Sequence, residues 1–414
     1  MKNIRKFLIL VFLVLFVGIV QRAGCEILSL GQVVEKALQF QPSLEISRSS
    51  LKISDYSLSK SISSLYPQIN AGASYNYSGN SSGSGNYSAS ASVSQKIYDF
   101  GRTGGAIRSS IENKRSSEYA LQGQVQSVIY DATQKYFEYL KAKHIVDADS
   151  ESLKQAEAHL SQIKGYYAVG LKPRIDVVKS MLDRSNSKLA LMNDLNSMKL
   201  AKINLAKVIG VNDADFEAAD FFETASFDVS LEECLNIALE KRPDLKEKES
   251  DVKAAQIKLA TARSSHLPSL SASGSYGYSG SEFPLSSSSW SAGLNFSLPI
   301  FSGFSVTSEV KTQEENYKIV LKQKQDLELS ADIEIRQAYF DMKEKRESIE
   351  VAYESLNNAE ENYNLAQGRY ISGTGSIIEL SDARASLVSA KTSYIRSIYD
   401  YNISIASLKK VTGY

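Results

Sequence analysis

The sequence predicts a mainly α-helical chain with a transmembrane β portion, and three observations lead there. Two proline-free stretches, Arg102 to Lys164 and Ser305 to about Gln367, carry apolar or small residues at helical spacing. Four shorter segments alternate apolar residues with Ser, Asn and Gly at period two. Both patterns occur in each half of the chain. With only 7 prolines and 23 glycines in 414 residues, breakers are few, so the elements must be few and long. Lys+Arg and Asp+Glu number 47 each, which leaves no basic footprint, and no nucleic acid is expected as a partner.

Segment 1–25 reads as a secretory signal peptide, because Lys2, Arg5 and Lys6 precede an apolar run from Phe7 to Val20. That run of 14 residues is shorter than the roughly 20 a helix needs to span a bilayer, so removal is expected rather than anchoring. Cleavage just past Cys25 places Ala23 at the minus-three position. Acylation of Cys25 would instead normally want an aliphatic residue where Arg22 stands. No later segment is apolar enough to cross as a helix, so a crossing must use strands. Two cysteines make no disulfide framework, and Cys234 reads as a small buried hydrophobe on a short helix.

The rest is one unit written twice. Leu30, Ala37-Leu38 and Pro42-Ser43-Leu44 match Leu231, Ala238-Leu239 and Pro243-Asp244-Leu245, and Leu65-Tyr66-Pro67 matches His266-Leu267-Pro268 without a gap. Gly165 to Gly170 matches Gly368 to Gly373, and Val208-Ile209-Gly210 matches Val411-Thr412-Gly413. The first repeat is placed at 26–213, with strands at about 67–78 and 86–99, a long helix at 102–164 and a return helix at 176–208. A connector at 214–228 leads to the second repeat at 229–414. Its strands are expected at about 268–279 and 289–301, its long helix at 305–367 and its return helix at 377–411. A helix of 63 residues reaches about 95 Å, deeper than a globular core, and so argues coiled-coil packing.

The strand segments have the length of transmembrane β-strands, roughly 9–11 residues when tilted. The apolar parity, including Ile69, Tyr75, Val93, Leu270, Tyr276, Trp290, Leu294 and Phe296, is assigned to lipid, and the hydroxyl-rich parity to a water-filled lumen. Tyr77, Tyr87, Tyr276, Tyr278 and Trp290 near the loop-side strand ends suit an interfacial girdle. Four strands cannot close, and an open edge in lipid leaves backbone groups unpaired. Three copies give a 12-stranded barrel with room for a pore, through a ring-closing interface. The alternative is a periplasmic coiled-coil scaffold or adaptor with a small soluble sheet.

These residues resemble the TolC-like outer membrane factor family of efflux and type I secretion channels. The resemblance rests on the doubled openings, the strand exits Ile97-Tyr98-Asp99-Phe100-Gly101 and Pro299-Ile300-Phe301-Ser302-Gly303, and the turns Tyr167-Ala168-Val169-Gly170 and Tyr370-Ile371-Ser372-Gly373. It implies a homotrimer whose barrel continues into a periplasmic α-helical tunnel, closed at its tip. It also implies partners: outer-membrane lipid, a periplasmic adaptor and an inner-membrane transporter, with docking at the tip turns Gly170, Leu171, Gly373, Thr374 and Gly375. Matching positions place aperture carboxylates at Glu379 and Asp382, with Asp176 on the partner turn and Tyr370 as its hydrogen-bond partner. Where the family often has an arginine, this chain has Gly375. From the residues alone a second reading stays open: Ser376 to Glu379 has capping-box spacing, and Asp176 suits a first helical turn.

No catalytic, cofactor or metal site is expected. Asp99-Phe100-Gly101 lacks every other element of a kinase and reads as a strand-exit turn. His144, His159 and His266 have no metal-ligand spacing, and Gly79 to Gly85 lacks the Lys-Ser/Thr of a phosphate loop.

Overall fold

The computed structural model describes residues 26–79, 84–211, 216–224 and 227–414. The expected signal segment 1–25 with Cys25, and part of the loop after Ser78, lie outside the described residues. In chain order the helices are α1 (Leu30–Phe40), α2 (Pro42–Ser63), α3 (Arg102–Ala168), α4 (Arg174–Ile209), α5 (Leu231–Lys241), α6 (Pro243–Arg263), α7 (Ser305–Ile371) and α8 (Ile377–Thr412). The strands are β1 (Glu26–Leu28), β2 (Gln68–Ser78), β3 (Ser84–Tyr98), β4 (Phe216–Ala218), β5 (Ser269–Gly280) and β6 (Ser287–Ser297).

Helix starts are local chemistry repeated. Ser29 with Gln32, and Ser230 with Glu233, form two complete capping boxes at the starts of α1 and α5. Behind each box an alanine at the same repeat position, Ala37 or Ala238, is fully buried. Cys234 is buried on α5. The strand exits are also alike: Phe100-Gly101 and Gly303-Phe304 take positive φ, turning the chain from strand into long helix. At the first exit the Asp99 carboxylate accepts from the backbone N–H of Thr103 at 2.8 Å, capping α3.

β2, β3, β5 and β6 form one antiparallel sheet in that order, leaving β2 and β6 as its edges. The register lines up equal parities across all four strands: Ile69, Val93, Gly274 and Ala292 share a row, as do Ala71, Ala91, Tyr276 and Trp290. On the opposite face Asn70, Ser92, Ser275 and Ser291 form a row, and Ser74–Ser88 and Ser275–Ser291 hydroxyls bond across strands at 2.8 and 2.9 Å. Two details differ from the expected alternation. The register shifts between Lys96 and Tyr98, a bulge that puts Tyr98 rather than Ile97 opposite Leu270. β6 ends at Ser297 instead of about 301, because Pro299 has no N–H for the ladder and restricts Leu298 before it.

The chain forms two compact units, and neither coincides with a sequence repeat. Among the described residues, one comprises the chain from Glu26 to Gln41, Val128–Asp228 and Ala338–Leu408; the other comprises Pro42–Ser127, Val229–Gln337 and Lys409–Tyr414. Within the first unit, Tyr136, Tyr139 and Tyr399 are buried, and the Tyr136 hydroxyl donates to the Ala219 carbonyl at 2.7 Å. The short β1 and β4 pair in parallel there. The second unit contains the four-stranded sheet. In it α2 meets α3 through hydroxyl pairs, Ser54–Ser117 and Ser61–Ser110, at 2.6 and 2.7 Å. These pairs lie seven residues apart on each helix, the spacing of an antiparallel coiled-coil seam.

Candidate functional site

The expected aperture lies wholly within the first unit, where α3 turns into α4 and α7 turns into α8. The two turns are built alike. Gly170 and Gly373 both sit at φ 79°, a left-handed conformation that glycine adopts without a Cβ clash. Past them, the N–H of Leu171 donates to the Tyr166 carbonyl and that of Thr374 to the Arg369 carbonyl, both at 2.9 Å, satisfying carbonyls that the helix ends leave free. Behind the turns, Ile163, Ala366, Tyr370, Ile377, Leu380 and Ala383 form a buried cluster.

Asp176 and Tyr370 meet in this cluster. The Tyr370 hydroxyl donates to the Asp176 carboxylate at 2.8 Å, with the two residues 3% and 7% exposed. Burial, and then the accepting Asp176 carboxylate, raise the Tyr370 phenol above its ordinary pKa. α4 begins at Arg174 after Pro173, so Asp176 lies in the first turn, where the helix dipole favours its charge. Its carboxylate is spent on Tyr370, joining the first turn to the second.

Glu379 takes a different partner. Its backbone N–H donates to the Ser376 hydroxyl at 3.1 Å, as at a helix start, while its carboxylate pairs with Arg369 at 3.1 Å. Asp382, three residues on, is exposed. Gly170, Leu171, Gly373 and Thr374 are exposed at the turns, and Gly375 is half-buried. The absence of a side chain at Gly375 has a steric reason: a Cβ there would stand 3.0 Å from the Arg369 Cβ and 3.1 Å from the Tyr370 N.

Three residues that sequence reasoning did not select complete the tip. Arg369 is one. Lys172 is the second, with its ammonium 3.9 Å from the Tyr370 ring centroid. His159 is the third, its ring edge-on to Tyr370 at 5.8 Å between centroids. Burial and then the nearby Arg384 cation lower the His159 pKa, so the imidazole is held neutral. A cavity of about 360 Å³ lies beside them, with Gln162, Tyr166 and Leu380 among its walls. The signal that would have marked Lys172 is the repeat itself. It stands two residues after Gly170, as Gly375 stands two after Gly373.

In the second unit, all but one of the strand residues assigned to lipid are exposed. Ile69, Trp290 and Leu294 are 76%, 77% and 73% exposed, and Tyr75, Val93, Tyr276 and Phe296 are exposed as well. Leu270 is half-buried. No described helix is long and apolar enough to cross a membrane.

Comparison with known proteins agrees with this architecture. Outer membrane protein TolC of Escherichia coli is 25% identical, the match covering 93% of this chain and 82% of TolC. Among solved structures, the Campylobacter jejuni CmeC outer membrane channel superposes with a TM-score of 0.84 at 23% identity, covering 93% of this chain and 85% of CmeC. A membrane protein from Pseudomonas aeruginosa gives 0.85 at 20% identity, covering 93% of both chains. The family model described as "Outer membrane efflux protein" matches residues 33–211 and 234–414, one block in each repeat, and the chain therefore belongs to the outer membrane efflux protein family.

Proposed function

We infer that this protein is the outer-membrane exit duct of a tripartite efflux or type I secretion system, a passive channel gated at its periplasmic tip. The observation that carries the reading is the sheet. Its apolar parity lines up across four strands and stays exposed, while hydroxyls line up behind it. A soluble sheet would cover the apolar rows with protein, whereas a bilayer covers them with hydrocarbon. This disfavours a periplasmic scaffold.

The free edges β2 and β6 support a ring-closed assembly. All neighbours in the sheet are antiparallel, so β6 of one copy can join β2 of the next in the same sense, and three copies close a 12-stranded barrel. The tip supplies the gate: Tyr370 and Asp176 hold the turns together, and Glu379 and Asp382 contribute charge to the aperture. The turns at Gly170, Leu171, Gly373, Thr374 and Gly375, exposed but for the half-buried Gly375, are the docking surface for a periplasmic adaptor and its inner-membrane transporter.

Fractionation and planar-bilayer recording test this together. The full-length chain is expected in the outer membrane as a heat-modifiable oligomer that forms low-conductance pores, opened by Tyr370→Phe. A water-soluble monomer without pore activity would sink the reading.

A further inference from the structure

We propose that Lys172 is a positioning residue of the tip latch, pinning Tyr370 by both its ring and its backbone so that the two turns stay together. The proposal rests on the gated-tip reading above and adds a residue to it.

The Tyr370 hydroxyl bond to Asp176 ties down the far end of a ring that is already buried in the cluster behind the turns. Lys172 adds two further contacts. Its ammonium lies 3.9 Å from the ring centroid and also donates to the Tyr370 carbonyl at 3.4 Å. The first contact is a cation–π attraction, strengthened by a phenol that donates its hydrogen bond to a carboxylate. The second places a cation on one of the last carbonyls of α7, at the negative end of a 67-residue helix. His159 meets the ring edge-on, so segment 159–176 grips Tyr370 at hydroxyl, face, edge and carbonyl.

The two repeats are unequal here for a steric reason. Lys172 occupies in the first turn the place of Gly375 in the second, where a Cβ would meet the Arg369 and Tyr370 backbone at 3.1 Å. A cation at this position therefore fits only in the first turn. Each copy carries one clamp.

A simple C-terminal cap on α7 would affect helix stability and nothing else, so the deciding measurement is channel opening. Full-length wild type, Lys172→Met, Lys172→Arg and Tyr370→Phe are recorded in planar bilayers, with heat-modifiable migration confirming that each oligomer is intact. Lys172→Met is expected to raise the open-to-closed ratio about tenfold, from the loss of the cation–π and helix-end attractions. Lys172→Arg is expected to stay within about twofold of wild type, since a guanidinium stacks on the same ring. Wild-type conductance from Lys172→Met, with Tyr370→Phe open, overturns the proposal and leaves the gated tip standing. Opening by Lys172→Arg as large as by Lys172→Met overturns the role of the charge. Pores that no variant opens overturn the gate itself, and the latch with it.

Discussion

At the scale of single residues, charge at the tip is distributed unevenly. Glu379 and Asp176 occupy equivalent repeat positions, each six residues past its turn glycine, Gly373 or Gly170, yet one carboxylate pairs with Arg369 and the other with Tyr370. Only Asp382 of the three is exposed. The ion pair of Glu379 is itself half in solvent, so it is worth less than about 1 kcal/mol to folding, and at the proposed aperture the Arg369 cation would offset the Glu379 charge. Arg369→Gln is therefore expected to leave thermal unfolding unchanged. It should lower the divalent-cation concentration for half-block of the pore by up to about fivefold, the equivalent of such a pair. Glu379→Gln, which leaves the Arg369 cation unpaired, should raise that concentration by a comparable factor, and a shift in the same direction as that of Arg369→Gln would refute this account. Sequence alone reached Glu379, Asp382, Asp176 and Tyr370 through family resemblance. It missed Arg369 and Lys172 because partners on opposite sides of a turn depend on helix phase and turn geometry, which spacing does not supply.

At the scale of elements, the long helices were legible because nothing interrupts them: no proline falls between Arg102 and Lys172 or between Ser305 and Tyr414. Strand limits were less so. Pro299 cuts β6 before Ile300 although the alternation continues past it, and the bulge at Ile97 leaves no mark in the apolar pattern. The division into units was not legible either, since each unit draws on both repeats. Along α3 and α4 one polar pair stands out. Asp149, 5% exposed, neighbours the Asp194 carboxylate, and burial followed by that neighbour raises its pKa to about 6, with Arg396 opposing. The ionised form is thus disfavoured on folding. The penalty is absent below the ordinary value near 3.8, grows as pH rises toward 6 and is complete above it. Asp149→Asn keeps the shape without the charge and is expected to stabilise the protein by about 1–3 kcal/mol at pH 7.5. The gain should vanish near pH 4 in thermal melts, and a gain independent of pH would show that the charge is not its cause.

At the scale of the whole assembly, the sheet makes a demand on its surroundings that single strands do not. Ala91 lies at the centre of β3 in a row with Ala71, Tyr276 and Trp290, while the adjacent Ser92 lies in a row with Asn70, Ser275 and Ser291. On the proposed channel reading, neighbouring residues belong to opposite solvents. An arginine at Ala91 would place a guanidinium among hydrocarbon chains near the bilayer midplane, at about 2–4 kcal/mol per copy. In the proposed closed barrel of three copies that penalty would multiply, because each protomer would complete its neighbours' edges and none could fold its strands alone in lipid. Ala91→Arg is expected to abolish the heat-modifiable oligomer in the outer membrane. Ser92→Arg should assemble normally and shift the pore toward anions, because its charge stands in water beside the ion path. If Ser92→Arg fails to assemble and Ala91→Arg succeeds, the faces are reversed. If both assemble with unaltered ion selectivity, neither row touches lipid or lumen, and the sheet must be covered by protein.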